Sequence, residues 1–233
     1  MNLPTFLITG AFGGLGLGRT RVYLVDGWYV FAAGRAASPE LENLACDHLD
    51  IRSCDLTDDE ALAALADSLS ESTIDVLNNN AGMMATGGFD DDVDKFGQFD
   101  RELWRKVFDI NLFTPMRMAE LFIDHIAGST RGRMVTISSM LGSMELNNFG
   151  SLYAYRASKA GVNAIMKSMA IDLADRGVIT IAMHPGWVQT DMGGAGAAID
   201  VTTSVTGMKA VIDKLTPESS GKFLSYDGSE MPW

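Results

Sequence analysis

Cysteine, histidine and proline are scarce in this chain: two, three and six among 233 residues. Cys46 and Cys54 lack CxxC spacing, and no histidine stands at metal-ligand spacing from them, which argues against a zinc knuckle or a disulfide framework. Both read as reduced core thiols, and no metal site is expected. Basic residues are also few: 18 Lys and Arg stand against 30 Asp and Glu, a formal charge of −12. A nucleic-acid surface needs cations to displace counterions from phosphates, and binding to an anionic membrane surface draws on them too. Neither partner is expected. No apolar run approaches the roughly 20 residues of a membrane-spanning helix. The opening "MNLPTFLITG" has neither a basic n-region nor a long apolar stretch, so it reads as a strand and not as a signal peptide. The expected compartment is the cytoplasm.

What is present is a core. Hydrophobic residues make up 47% of the sequence, enough for one large α/β domain or two small ones. Short apolar runs bounded by turn residues recur at 5–10, 28–34, 50–55, 74–82, 133–139 and 178–186. Amphipathic stretches lie between them. Ser38-Pro39 puts a cap before a proline at the first helical position, and Thr57 with Glu60 reads as a capping box. Longer helices are expected over about 101–126 and 153–174, and helical periodicity resumes in "TTSVTGMKAVIDKL". The acidic stretch 87–100 is too short for a linker, and its Asp90–Asp92 run reads as solvated. Strands alternating with helices imply βαβ units, a parallel sheet and right-handed crossovers. The expectation is one doubly wound α/β domain over residues 1–233.

"FLITGAFGGLGLGR" places Gly10, Gly14 and Gly16 directly after a buried strand and at the start of a helix. Such a turn offers backbone N–H groups and the positive end of a helix to a phosphate, and glycine lets a pyrophosphate approach closely. Phe12 and Leu15 belong to the same loop. A purely structural glycine turn is the alternative. The second strand ends "AAGRAAS", where an acid would accept from a ribose 2′-hydroxyl. The chain has Arg35 there instead, whose fork suits a 2′-phosphate. NADP(H) is therefore favoured over NAD(H), against the alternative of a solvated loop arginine.

Tyr153 and Tyr155 both stand in "YAYRASKAG", and helical neighbours meet three or four residues apart. Lys159 lies four after Tyr155, whereas four after Tyr153 comes Ala157. A free phenol has a pKa near 10, and a cation about 4 Å away contributes roughly 4 kcal/mol at an effective dielectric of about 20, or about three pK units. That would bring the phenol toward 7, where it exchanges protons with a substrate oxygen. On this reading Tyr155 is the acid, Lys159 its tuner, and Arg156 a solvated or interface residue.

These residues together resemble the short-chain dehydrogenases/reductases. Thr9-Gly10 with Gly14 and Gly16 looks like the family's T-G-x-x-x-G-x-G loop, and Asp55-Leu56 like the pair that meets the adenine ring. Asn79-Asn80-Ala81-Gly82 is similar to N-N-A-G, and Tyr155 with Lys159 to Y-x-x-x-K. Asn111 in "FDINLF" resembles the asparagine that holds a relay water, and Ser139 the serine that polarises a carbonyl. Pro185-Gly186 with Val188 and Thr190 resembles the segment that gathers the nicotinamide carboxamide. The likeness spans the chain. The endings "HPGWVQTDMGG" and "GKFLSYDGSEMPW" point closer, to small C-factor-like carbonyl reductases with shortened lids, here at about 191–205.

The resemblance implies a Rossmann-type doubly wound parallel sheet of about seven strands with helices on both faces. It implies a ketone or aldehyde reductase taking a small-molecule carbonyl or alcohol substrate, assembled as a homodimer or homotetramer. In the assembly, Leu103, Val107, Ile110 and Met118 face either the sheet or a partner. Two alternatives stand beside it: an NAD-dependent alcohol dehydrogenase on the same site, and a nucleotide-binding signalling protein of C-factor type. Three departures from the family bear on these readings. The Ser139–Tyr155 interval is longer than usual, the extra length lying in "MLGSMELNNFG" at the pocket edge. Phe12 and Gly13 stand where NADP-preferring members often carry a basic residue. Ser138 rivals Ser139, and strand alternation lets only one of them face the pocket; motif alignment selects Ser139. Met83, Met84, Met140, Met144 and Met192 are expected around that pocket, as fillers or as an adaptable apolar lining.

Overall fold

β-branched and aromatic residues in short runs, each closed by a turn residue, form the seven strands of the computed structural model, which describes residues 3–35, 38–85 and 93–233. These are β1 (Thr5–Thr9), β2 (Tyr29–Gly34), β3 (Leu49–Ser53), β4 (Val76–Asn79), β5 (Arg133–Ile137), β6 (Ile179–His184) and β7 (Phe223–Ser225). All neighbouring pairs are parallel, in the order β3-β2-β1-β4-β5-β6-β7. The order reverses between β1 and β4, which opens a crevice beyond their carboxyl ends. The Asp90–Asp92 run lies outside the described residues.

Helices cover both faces because strand side chains alternate. Phe6 and Ile8 enter one core, with Tyr23 of α1 (Gly14–Val25), Leu41 of α2 (Pro39–Glu42) and Met208 of α7 (Val201–Asp213). Leu7 enters the opposite core, with Leu62 of α3 (Asp59–Ser68), Phe122 of α5 (Thr114–Ala127) and Met166 of α6 (Tyr153–Asp172). Ser38 caps α2 by accepting from the Leu41 N–H, with Pro39 beginning the helix. The capping box expected at Thr57 is not formed. Thr57 instead bonds the Asp55 carboxylate through its N–H and hydroxyl, and Asp58 caps α3.

The helix expected over 101–126 is broken once. α4 (Arg101–Phe108) runs into a π-helical turn at Asp109–Phe113 before α5 begins. Val107 and Met118 are fully buried and Ile110 packs on the core, so these positions face inward. The outer surface carries an aromatic ladder, Phe99–Trp104–Phe108–Phe113, with centroids 5.4, 5.8 and 6.4 Å apart in turn. Cys54 is buried as expected, but Cys46 is exposed in the loop before β3, and both are free thiols. No helix among the described residues is long and apolar enough to cross a membrane.

Candidate active site

The loops that leave the carboxyl ends of the strands enclose a cleft of about 2060 Å³. Typical small-molecule sites hold about 300–1,000 Å³, so this one has room for a dinucleotide and a second molecule. Ser139, Tyr155, Lys159, Arg35, Asp55, Leu56 and the residues named from Gly10 to Gly16, Asn80 to Gly82 and Pro185 to Thr190 as cofactor contacts line it, whereas Asn111 does not. The motifs converge because each sits just past a strand end: Gly10 after β1, Asn80 to Gly82 after β4, Ser139 after β5, Pro185 after β6.

Tyr155 and Lys159 project from one face of α6, with the Lys159 nitrogen 5.7 Å from the phenol ring centroid. Both are buried, at 7% and 3% exposure. Lys159 Nζ donates to the Ile137 carbonyl at 2.8 Å, which anchors the side chain across the end of β5. Burial pushes the Tyr155 phenol up to about 12, opposed by a hydrogen bond with Ser139. Burial brings the Lys159 ammonium down to about 8. The expected drop of the phenol toward 7 is therefore reversed. The cation spends its donor on a carbonyl, and desolvation outweighs attraction. A phenol that stays protonated across neutral pH is a loaded acid, the form a carbonyl reduction needs.

β5 ends at Ile137, so the strict alternation used to separate the two serines stops before them, and both reach the cleft wall. Their hydroxyls part company. Ser138 Oγ donates to Asn163 Oδ1 at 2.6 Å, inside the helix packing, while Ser139 lines the cleft with Tyr155 and its Oγ accepts from the Leu141 N–H at 3.1 Å.

Asn111 stands in the π-helical turn, a form that favours functional positions. Its side chain brackets the β4 exit: Nδ2 donates to the Met83 carbonyl at 2.9 Å and to Ser158 Oγ at 3.0 Å, and Oδ1 accepts from the Met83 N–H at 2.8 Å. The amide is thus committed to the framework beneath Gly82 and not to the cleft.

The glycine loop is shaped by close approach. A Cβ on Gly10, at φ +67°, would stand 2.9 Å from Ala81 Cα, and one on Gly16 would stand 2.0 Å from the Gly10 carbonyl oxygen. Beside Gly13 lies open space, and no side chain caps the first turn of α1. Its N–H groups and dipole thus face the cleft, an arrangement suited to a phosphate. At the end of β2, a Cβ on Gly34 would meet the Phe12 ring at 2.4 Å. The Phe12 ring therefore packs directly over Gly34, and Arg35 is the charged residue that follows.

The segment after β6 is tied down. Trp187 Nε1 donates to the Gly193 carbonyl at 2.8 Å, Gly193 N–H donates to Thr190 Oγ1 at 3.1 Å, and Gln189 Nε2 donates to the Ala197 carbonyl at 3.1 Å. Trp187 thus ties the Gly193 backbone down and also forms part of the wall. α7 begins at Val201, so 201–205 is helix and the non-helical part of the expected lid is shorter.

Three further residues take their supporting roles only in the folded structure. His184 Nδ1 accepts the Met140 N–H at 3.2 Å, pinning the turn next to Ser139. Asp94, buried and at φ 68°, accepts the Ala154 N–H at 3.0 and 2.9 Å, capping α6 from another segment where Leu152 provides no cap. Asp94→Ala should cost about 1 kcal/mol of stability, as N-cap losses do; an unchanged urea midpoint would show that α6 does not depend on it. Arg156 is neither solvated nor spare: it is buried and donates to the Leu141, Gly150 and Ser151 carbonyls. Of the five methionines, Met83, Met84, Met140 and Met192 line the cleft, but Met144 lies outside it against Trp233.

Known proteins share this arrangement. The family model described as short chain dehydrogenase matches residues 4–198. C-signal of Myxococcus xanthus is 39% identical over 172 residues, spanning 74% of this chain and 100% of that protein. Among solved structures, carbonyl reductase Sniffer of D. melanogaster superposes with a TM-score of 0.92 at 30% identity. NADPH-bound carbonyl reductase from chicken fatty liver does so at 0.89 and 27%, and for both structures the likeness covers 100% of either chain. The family match runs from β1 past Thr190, through the glycine loop and the Tyr155–Lys159 helix, so the chain belongs to the short-chain dehydrogenase family.

Proposed function

We propose that this protein is an NADP(H)-dependent carbonyl reductase whose proton donor is Tyr155. The observation that carries the proposal is the convergence of Ser139, Tyr155 and Lys159 on one cleft wall, with a phenol held protonated up to about 12. NADPH, when bound, supplies the hydride to the carbonyl carbon. Ser139 and Tyr155 donate to the carbonyl oxygen, where negative charge develops, and Tyr155 gives up its proton so that the product is a neutral alcohol. Lys159, anchored on Ile137, stands beside the phenol as the next charged group. Asn111, which the family resemblance gives a relay water, holds the Met83 backbone in place.

The cofactor would lie with its pyrophosphate against Gly13–Gly16 and its adenosine between Arg35 and Asp55–Leu56. NADP is favoured because the end of β2 carries glycine and no acid to accept from a 2′-hydroxyl, and because Arg35 follows as a charged partner for a 2′-phosphate. The NADPH-bound chicken carbonyl reductase agrees in kind. Arg35→Ala should raise the KM for NADPH by about 100-fold, the loss of a charge-assisted pair, and leave that for NADH within about twofold. Equal losses for both cofactors would remove the assignment. The reaction class is tested by NADPH oxidation at 340 nm with a panel of activated ketones and aldehydes; no turnover of any member would overturn it. A pure nucleotide sensor, the reading nearest to the name of C-signal, has no use for a buried proton donor. Residues from Asp191 onward act as a short lid in this reading. The exposed aromatic ladder is the proposed face of a homodimer or homotetramer, and the cytoplasm the proposed compartment.

A further inference from the structure

The loop from Met140 to Leu152, longer than usual for the family, is held by an unusual device. Gly150, Ser151 and Leu152 all adopt left-handed backbone, at φ 70°, 55° and 55°. For two consecutive non-glycine residues this conformation is costly, because the Cβ crowds the following carbonyl oxygen. Arg156, in the first turn of α6, offsets that cost by gripping the same turn. Its Nε donates to the Gly150 and Ser151 carbonyls at 3.1 and 3.0 Å, and Nη1 donates to Leu141 at 3.3 Å. The guanidinium also lies 4.4 Å from the centroid of the Phe149 ring, a cation–π contact. Phe149 is 61% exposed and lines the cleft. An exposed aromatic on a loop would ordinarily sample many positions; this one is stacked on a cation that is itself fixed by three carbonyls.

We propose that Phe149, set in place by Arg156, is the specificity-determining wall of the cleft, and that the substrate is a bulky, uncharged carbonyl compound with an aromatic or similarly flat apolar face. This rests on the carbonyl reductase reading above and narrows it. Met84, Met140, Leu141, Trp187 and Met192 add apolar surface to the cleft lining. Among the described residues, the cations lining the cleft are Arg35, Lys106 and Lys159. None stands on the 140–152 loop or on 187–196, whereas Asp191 does. Arg156 donates Nε and Nη1 to backbone carbonyls and does not line the cleft. A carboxylate, phosphate or acyl-carrier substrate would therefore find no counter-charge on the Phe149 loop or the 187–196 segment, in a protein of net charge −12. Methionine side chains adapt to varied apolar shapes, so the orienting element is the fixed ring.

The test compares 4-methylbenzaldehyde, 4-carboxybenzaldehyde and 2,3-butanedione as substrates with NADPH. The wild type should favour the methyl over the carboxylate compound by at least about tenfold in kcat/KM, on the scale of a lost aromatic contact or an unpaired charge. Phe149→Ala should lower kcat/KM for 4-methylbenzaldehyde by about tenfold through KM, with butanedione within about twofold. Phe149→Tyr should restore the aryl value. Arg156→Lys, which keeps the charge but not the fork, should reproduce Phe149→Ala. An unchanged aryl-to-butanedione ratio in Phe149→Ala, or a wild-type preference for the carboxylate, overturns the inference and leaves the reductase reading intact. Binding of 4-methylbenzyl alcohol to the NADP⁺ complex, followed by tryptophan fluorescence, gives a readout free of turnover. Phe149-dependent binding without reduction of any carbonyl would sink the reductase reading and keep the aromatic site; absence of both would sink the two together.

Discussion

Tyr155→Phe should lose about a thousandfold in kcat, within the range that general acid catalysis contributes, while the Kd for NADPH stays within about twofold. The phenol oxygen is the one atom removed, and it acts on the reacting carbonyl more than on the resting complex, so the loss belongs in kcat. Single-turnover reduction with pre-bound NADPH reads this directly; turnover near the wild-type rate would end the assignment of the acid. The pH dependence follows from the same burial. Reduction needs the protonated phenol, which burial holds up to about 12, so Tyr155 itself should impose no loss of reduction rate between pH 6 and pH 9. Lys159, brought down to about 8, is the group that titrates in that interval. An alkaline limb near pH 8 in the wild type should therefore disappear in Lys159→Met. Alcohol oxidation needs the phenolate and should rise with pH over the whole range.

Acidification should destabilise the protein through His184 by about 2 kcal/mol between pH 7.5 and pH 5, and by about 3 kcal/mol in all. His184 is 9% exposed, and burial brings its imidazole down to about 4, with Asp227 opposing. Its Nδ1 accepts from Met140, which only the neutral ring can do. The unfolded chain protonates near 6.5 and the folded one near 4. Between those values the unfolded state binds the extra proton, so stability is complete above about 6.5 and falls as pH falls toward 4. Urea unfolding at pH 7.5 and pH 5, for wild type and His184→Asn, isolates the effect, because asparagine accepts the same N–H but does not titrate. If the difference between the two proteins does not change with pH, His184 does not carry the loss. The Met140 turn adjoins Ser139, so activity at pH 5 should fall with stability and recover in the variant.

The strands, their parallel pairing and the cleft's motifs were legible because each rests on a local rule. Apolar runs closed by glycine mark the strands, and the Tyr155–Lys159 pair follows from four-residue helical spacing. β5 stops at Ile137, before Ser138 and Ser139, yet their hydroxyls still take different surroundings, and periodicity missed the π-helical turn because five residues barely disturb an apolar stripe. Lys159 was read as a tuner from a bare Coulomb term. Only burial, a property of the fold, shows desolvation to be the larger effect on both groups.

Local sequence placed the glycine turn, Arg35, Tyr155 and Lys159 at the cleft, next to strand ends or on one helix face, and the family resemblance added Asn80, Ser139 and the Pro185 segment. Tertiary structure decided what holds them. Asp94 caps α6 from 60 residues away, His184 grips a turn 44 residues earlier in the chain, and Arg156 turns from a surface residue into a clamp because the 140–152 loop folds back over it. Spacing encodes neighbours within a turn of helix or along a strand. It carries no information about which distant backbone groups a buried charge will find, and that is settled only when the two ends of the sheet close around the cleft.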